Sequence, residues 1–220
     1  MVKKMVVGFL LVLFSCVVQS EEEWTLKKEE NGIKVFTKQI EDSNFNAFRA
    51  ETVVDATLST LMAVHADVEY VNEWLKDCSE SKLLTEFDPN GYAVYFKTDS
   101  PWPVKDRDYT LRYKIEQDPK DYTLTIHFTA EVGLMPESDD CVRITVLDGF
   151  WEMKPLAAGG VNVIYQVSTD PGGGVPAWLA NSFVIDQPFH SLTKLHERVK
   201  MEKYQGKTFK FVKEPKVSTD

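Results

Sequence analysis

Residues 108–128 read DYTLRYKIEQDPKDYTLTIHF, and the fold follows from this stretch. Tyr109, Leu111, Tyr113 and Ile115 alternate with Thr110, Arg112, Lys114 and Glu116, which is the two-residue period of a strand with one apolar and one polar face. Gln117-Asp118-Pro119-Lys120-Asp121 is rich in turn formers. Tyr122, Leu124, Ile126 and Phe128 then repeat the pattern, with Thr123, Thr125 and His127 opposite. The pair is antiparallel with one greasy face, and such a face needs a cover.

The alternation continues outward. Leu83–Phe87 and Tyr92–Lys97 flank a turn at Asp88-Pro89-Asn90-Gly91. Phe48, Ala50, Thr52 and Val54 share one face of a strand over 45–54, and Ile33–Thr37 follows the turn signal Asn31-Gly32. Val142–Lys154 and Val161–Val167 read as two more strands. Three helical stretches interrupt or precede them: Glu21–Lys28, Ala56–Ala66 with Asp55 as its N-cap, and Val68–Trp74. The cover is the last helix. Pro176 suits its first turn, and Trp178, Ser182, Ile185, Phe189, Leu192, Leu195 and Val199 recur at three- and four-residue steps. Pro188 is expected to kink it so that it follows a curved sheet. No internal repeat or linker interrupts the chain.

With 220 residues, 43% hydrophobic and 27% charged, the composition is that of a globular protein. Residues 1–20 stand apart. Lys3 and Lys4 precede an apolar run from Met5 to Val18, and Val18-Gln19-Ser20 fits a cleavage site, so the segment reads as a secretory signal peptide. The alternatives are a retained anchor, or lipidation at Cys16 within Leu13-Phe14-Ser15-Cys16, where Phe14 fits a lipobox poorly. Removing residues 1–20 takes away two lysines and no acid, leaving 23 basic against 34 acidic residues, a net charge of −11. Long-range attraction to nucleic acid or anionic bilayers is therefore not expected. Lysines 203, 207, 210, 213 and 216 give residues 206–220 and their approach a basic character, read as a flexible solvated tail. Cys78 and Cys141 are either one disulfide or two free thiols. His65, His127, His190 and His196 stand in no catalytic or metal spacing and read as surface or cap residues. No metal or cofactor is expected.

Several segments, in order, carry a resemblance: Asn31-Gly32-Ile33-Lys34-Val35, Trp74, Pro103-Val104-Lys105-Asp106-Arg107-Asp108-Tyr109, Val142-Arg143, Trp151-Glu152-Met153-Lys154-Pro155 and Asp170-Pro171-Gly172-Gly173-Gly174-Val175-Pro176-Ala177-Trp178-Leu179. Over 24–202 the chain resembles the START domain family of lipid-transfer proteins. The resemblance implies an α+β helix-grip fold over 21–205. In it, a curved antiparallel sheet wraps the C-terminal helix around a tunnel for one hydrophobic molecule. Implied partners are a sterol, phospholipid or fatty-acid-like lipid, with transient membrane contact and a monomeric protein; the net charge argues against nucleic acid, and the secretory signal argues for a periplasmic or other extracytoplasmic space. Some sterol-binding members bury an acid–arginine pair in the tunnel. Here those positions fall near Val94 or Tyr95 and at Tyr113, none of them charged.

The expected tunnel lining is Tyr95, Trp102, Tyr109, Leu111, Tyr113, Leu124, Ile126, Phe128, Trp151, Tyr165, Trp178 and Ile185. Without the resemblance, that stripe is ordinary core. Arg107 and Arg143 are the candidates for the entrance or a polar head. Arg107 alternatively pairs with Asp108 to hold a loop, and Arg143 alternatively faces outward. Gly172-Gly173-Gly174 is either a lid hinge or a permissive turn. The inward faces hold tyrosines and no His/Asp/Glu pair, so a non-enzymatic carrier is expected. A hydrolase or cyclase on the same fold, and a lipid sensor, are the competing functions.

Overall fold

The computed structural model describes residues 23–88 and 91–215, so the expectations for residues 1–20, including Cys16, lie outside the described residues. A single sheet holds ten strands: β1 (Thr25–Glu30), β2 (Ile33–Gln39), β3 (Asn46–Val54), β4 (Cys78–Leu83), β5 (Gly91–Thr98), β6 (Asp106–Gln117), β7 (Leu124–Ala130), β8 (Cys141–Arg143), β9 (Val146–Pro155) and β10 (Val161–Asp170). Their order is β1-β2-β3-β10-β9-β7-β6-β5-β4, all antiparallel, with the short β8 pairing parallel to β6 off this path. Helix α1 (Leu58–Ala66) and a 3-10 segment at Val68–Glu73 connect β3 to β4, and α2 (Ala177–Arg198) follows β10 and lies against β2 and β3. This is the helix-grip architecture expected from the sequence.

The strand faces fall as the alternation dictates. Phe48, Ala50, Thr52 and Val54 are buried while Val53 is exposed, and Leu111, Tyr113 and Ile115 are buried while Arg112, Lys114 and Glu116 are exposed. Local chemistry moves several boundaries. Residues 25–30 form a strand where a helix was expected, because Asn31 (φ 52°) and Gly32 (φ 75°) close a two-residue hairpin with Glu30 opposite Ile33. The α1 N-cap is Thr57, not Asp55. Thr57 Oγ1 accepts from Thr60 N at 3.1 Å, and Glu214 takes the amides of Leu58 and Ser59 at 3.2 and 2.7 Å. The strand placed at Leu83–Phe87 is instead β4, Cys78–Leu83; the amides of Leu84 and Thr85 both reach the Ala93 carbonyl, where regular pairing ends. Tyr122 has φ 63° and belongs to the turn. The single strand expected over 142–154 is two, since Ile144 N bonds Asp108 O at 2.9 Å and the chain then crosses to β10. Helix α2 runs unbroken through Pro188.

The packed body also extends past residue 205. Phe209 and Phe211 stand 6.0 and 5.8 Å from Phe87, Val212 is buried, and Lys213 exchanges two 2.9 Å hydrogen bonds with the Gln117 side chain. Residues 206–214 are thus part of the fold, because their apolar positions cover the core and Glu214 caps α1.

Candidate binding cavity

Between the sheet and the first half of α2 lies a cavity of about 1210 Å³, part of it open to solvent. One wall is the sheet: Phe48 of β3, Phe96 of β5, Tyr109, Leu111 and Tyr113 of β6, Phe128 of β7, Trp151 of β9 and Tyr165 and Val167 of β10. The opposite wall is α2, through Leu179, Ala180, Phe183, Val184 and Gln187. The rim is made by Leu75–Asp77, by Asp99–Pro101 with Val104, and by Pro171 and Val175.

The aromatic wall braces itself sideways. Trp151 and Tyr165, opposite each other on β9 and β10, stack at 3.7 Å with planes 5° apart. Phe48 meets Tyr165 edge-on at 4.9 Å, and Tyr113 sits 5.5 Å from Phe128. Burial pushes the Tyr109, Tyr113 and Tyr165 hydroxyls well above their usual range, so they stay neutral hydrogen-bonding groups. Tyr109 Oη accepts from Thr98 Oγ1 at 3.2 Å.

Of the residues expected to line the space, Tyr109, Leu111, Tyr113, Phe128, Trp151, Tyr165 and the entrance residue Arg107 are there. Six others are placed elsewhere, each for a physical reason. Leu124 and Ile126 share the face of Phe128 but sit deeper in the solid core, fully buried. Tyr95 points to the other face of β5, opposite Thr110; burial first, and the nearby Asp108 second, push its hydroxyl up to about 12. Trp102 is 91% exposed in the loop before β6, and Trp178 is 75% exposed at the start of α2. Ile185 lies off the lining because the inward face of α2 runs through 180, 184 and 187.

Arg107 does not pair with Asp108. Its guanidinium donates to the carbonyls of Lys105, Pro171 and Gly172, clamping the loop ahead of α2. At Gly173 (φ 63°) a Cβ would stand 3.0 Å from Val142 Cγ2, so this glycine lets the loop close over β8. Arg143 takes Asp108 instead: Nε–Oδ1 and Nη2–Oδ2 are both 2.8 Å, and the side chains are 6% and 2% exposed. It also donates to the carbonyls of Met135 and Pro136. Arg143 is therefore committed to the frame and is not a head-group ligand.

Polar lining residues that no sequence pattern marks include Asn46, Lys76, Asp77, Asp99, Asn181 and Gln187. Lys76 pairs with Asp77. Asn181 ties α2 to the start of β3, accepting from Asn46 N at 2.9 Å and donating to Asn44 O at 3.1 Å. Cys78 and Cys141 are free thiols, and burial pushes Cys78 up to about 12. His65 is buried rather than superficial, packed at 5.2 Å from Trp74 and 4.7 Å from Trp151. Among the described residues no cluster of three His, Cys, Asp or Glu is arranged to hold a metal, and no helix is long and apolar enough to cross a membrane.

A sheet gripping one long helix around an apolar, solvent-connected cavity defines a helix-grip binding domain. The START domain family matches residues 10–201, and the chain belongs to that family. An uncharacterized protein of Pseudomonas aeruginosa is 37% identical over 174 residues, 79% of this chain and 85% of that one. The phosphatidylcholine transfer protein of Bos taurus is 26% identical over 166 residues, 72% of this chain and 75% of that protein. Among solved structures, a STAR-related lipid transfer protein from Xanthomonas axonopodis superposes with a TM-score of 0.75 at 32% identity, covering 81% of this chain and 99% of that one. Human StAR-related lipid transfer protein 5 shares the fold, with a TM-score of 0.68 at 20% identity over 83% of this chain and 88% of that one.

Proposed function

We propose that the protein holds one lipid molecule in this cavity and carries it, unchanged, through an aqueous extracytoplasmic space. The observation that carries the reading is the aromatic-walled cavity between sheet and helix, open to solvent at its rim. Each methylene moved from water into it gains about 0.8 kcal/mol, so roughly twelve supply on the order of 10 kcal/mol before ordering costs. Family membership and the lipid-transfer names of relatives support the same reading. The compartment rests on the basic and apolar character of residues 1–20.

Transient membrane contact belongs to this proposal. Trp102 and Trp178 stand exposed beside Pro101 and Leu179, which line the cavity. Indole side chains favour the headgroup level of a bilayer, and an acidic protein is better matched to a zwitterionic than to an anionic surface.

Native mass spectrometry of the protein purified from its host tests the reading. A single lipid should be retained at one per chain, and should be recovered chemically unaltered after transfer between phosphatidylcholine vesicles. An empty protein that takes up nothing from vesicles refutes carriage. A lipid recovered cleaved or cyclised replaces it with catalysis. Replacing Trp102 and Trp178 with alanine should slow transfer several-fold while the unfolding midpoint stays in place.

A further inference from the structure

A second space lies on the far side of Trp151. Trp151, Tyr113, Phe96 and Leu75 also wall this annex, a much smaller chamber lined by His65 and Trp74, with room for little more than one water-sized group, about 20 Å³. Both rings are removed from solvent, at 4% and 3% exposure. They meet at 5.2 Å with planes 86° apart, and Trp151 packs against each, at 4.7 and 5.7 Å. Two nitrogens here have no hydrogen-bond partner in the protein: His65 Nε2 and Trp74 Nε1. A buried polar group left unpaired costs about 1–3 kcal/mol, so two in one small chamber are not neutral packing. The nearby Tyr92 hydroxyl cannot serve them, since it donates to the His65 carbonyl at 3.1 Å.

We propose that the annex is a hydroxyl-reading subsite, in which an uncharged hydroxyl at the leading end of a bound lipid bonds to His65 Nε2 and Trp74 Nε1. This rests on the reading of the main cavity as a lipid site. A hydroxyl both donates and accepts, so it suits the indole N–H, which only donates, and either tautomer of a neutral imidazole. A carboxylate or phosphate would lose its hydration against Val68, Val71, Leu75 and Phe96, with no cation in the walls. Burial pushes His65 down to about 3, so the ring brings no positive charge of its own. A plain alkyl end would leave both nitrogens as they are. The ligand class is thus a lipid with a lone, uncharged hydroxyl at one end, its carbon frame lying against Trp151 and Tyr113.

The test compares 1-hexadecanol with its methyl ether in competition for the purified protein, in wild type and in His65→Phe and Trp74→Phe. One net hydrogen bond corresponds to about a fivefold preference for the alcohol in wild type. His65→Phe should bring that preference close to one while binding the ether within about twofold of wild type. Trp74→Phe removes a donor that both oxygens can use, so it should weaken alcohol and ether alike and keep the preference. An unchanged unfolding midpoint reports an intact fold in each. In 15N-imidazole NMR of wild type, the His65 Nε2 resonance should shift with the alcohol and stay with the ether. Equal affinities in wild type, a preference that survives His65→Phe, or an unmoved His65 resonance overturns the subsite while leaving the lipid reading standing. Failure of both compounds to bind removes the lipid reading itself, and the subsite with it.

Discussion

Removing the Arg143 guanidinium is the sharpest test of how the cavity frame is held. In Arg143→Met, Asp108 keeps its place at 2% exposure and loses both 2.8 Å bonds from Arg143, while the Met135 and Pro136 carbonyls lose their donor. Breaking one side of such a pair strands a charge in a dry site and costs about 3–5 kcal/mol. For a chain of this size, each kcal/mol moves the midpoint by about 2–4 °C, so thermal unfolding followed by circular dichroism should fall by roughly 6–20 °C. Asp108→Leu combined with Arg143→Met should recover most of the loss, because no orphaned charge remains and the site accepts apolar volume. Amide exchange should localise the weakening to β8 and the neighbouring stretch of β6, where Asp108 sits opposite Arg143. A single variant that unfolds within about 2 °C of wild type but loses lipid would refute this reasoning. Arg143 would then be a head-group ligand, not a strut.

Three further outcomes follow from the same geometry. His65 is held neutral by burial, its pKa pushed to about 3, so the unfolded chain takes up the proton first. The associated stability is complete above about pH 6.5 and is lost toward pH 3 at up to about 1.4 kcal/mol per unit, and His65→Phe should flatten the pH dependence of the unfolding midpoint over that range. Gly149 lies between Phe128 and Val167, and a Cβ there would stand 2.3 Å from Gln166 O and 2.6 Å from the Phe128 ring. Gly149→Ala should therefore cost about 2 kcal/mol or more in urea unfolding and shift the Phe128 ring signals, since a backbone oxygen cannot yield as a side chain does. Glu214→Ala frees the amides of Leu58 and Ser59, which should cost about 1 kcal/mol and speed exchange at those two amides ahead of the rest of α1.

The faces of the strands were legible in the sequence because period two is a local property. Phe48 through Val54 and Leu111 through Ile115 point where the alternation says. Depth along a strand is not local. Leu124, Ile126 and Phe128 share a face and a chemistry, yet only Phe128 reaches the cavity, since what lies opposite each is set by distant segments. Trp102 and Trp178 read as inward by size alone, but both sit outside the strands on loop and helix-start backbone, where nothing forces a large ring to turn in. The lining face of α2 was missed for a related reason. The apolar stripe passes through Trp178, Ser182 and Ile185, whereas the cavity faces Leu179, Ala180, Phe183, Val184 and Gln187, a neighbouring face that mixes large, small and polar side chains and so gives no clean period. Partners far apart in sequence were beyond reach altogether, as with Asp108 and Arg143 at 35 residues and Ser59 and Glu214 at 155.

That last contrast explains how the space stays open. Protein interiors close-pack, and a void of this size would collapse if its walls had to lean across it for support. Here the wall residues find their contacts sideways. Trp151 stacks on Tyr165, Tyr165 takes the edge of Phe48, and Phe128 meets Tyr113, all within the sheet. Around the rim the constraints are polar and equally lateral: Arg107 on the carbonyls of 105, 171 and 172, Asn181 on 44 and 46, and the Ser191 hydroxyl on the amide of Lys76. Each of these rim bonds joins a loop or α2 to its neighbour along the opening, while between the facing walls Tyr165 shares a side-chain hydrogen bond with Gln187. A guest lying along the sheet leaves the rim bonds in place, and of the contacts between the walls it competes with the bond of Tyr165 to Gln187, a small cost against the apolar burial it gains.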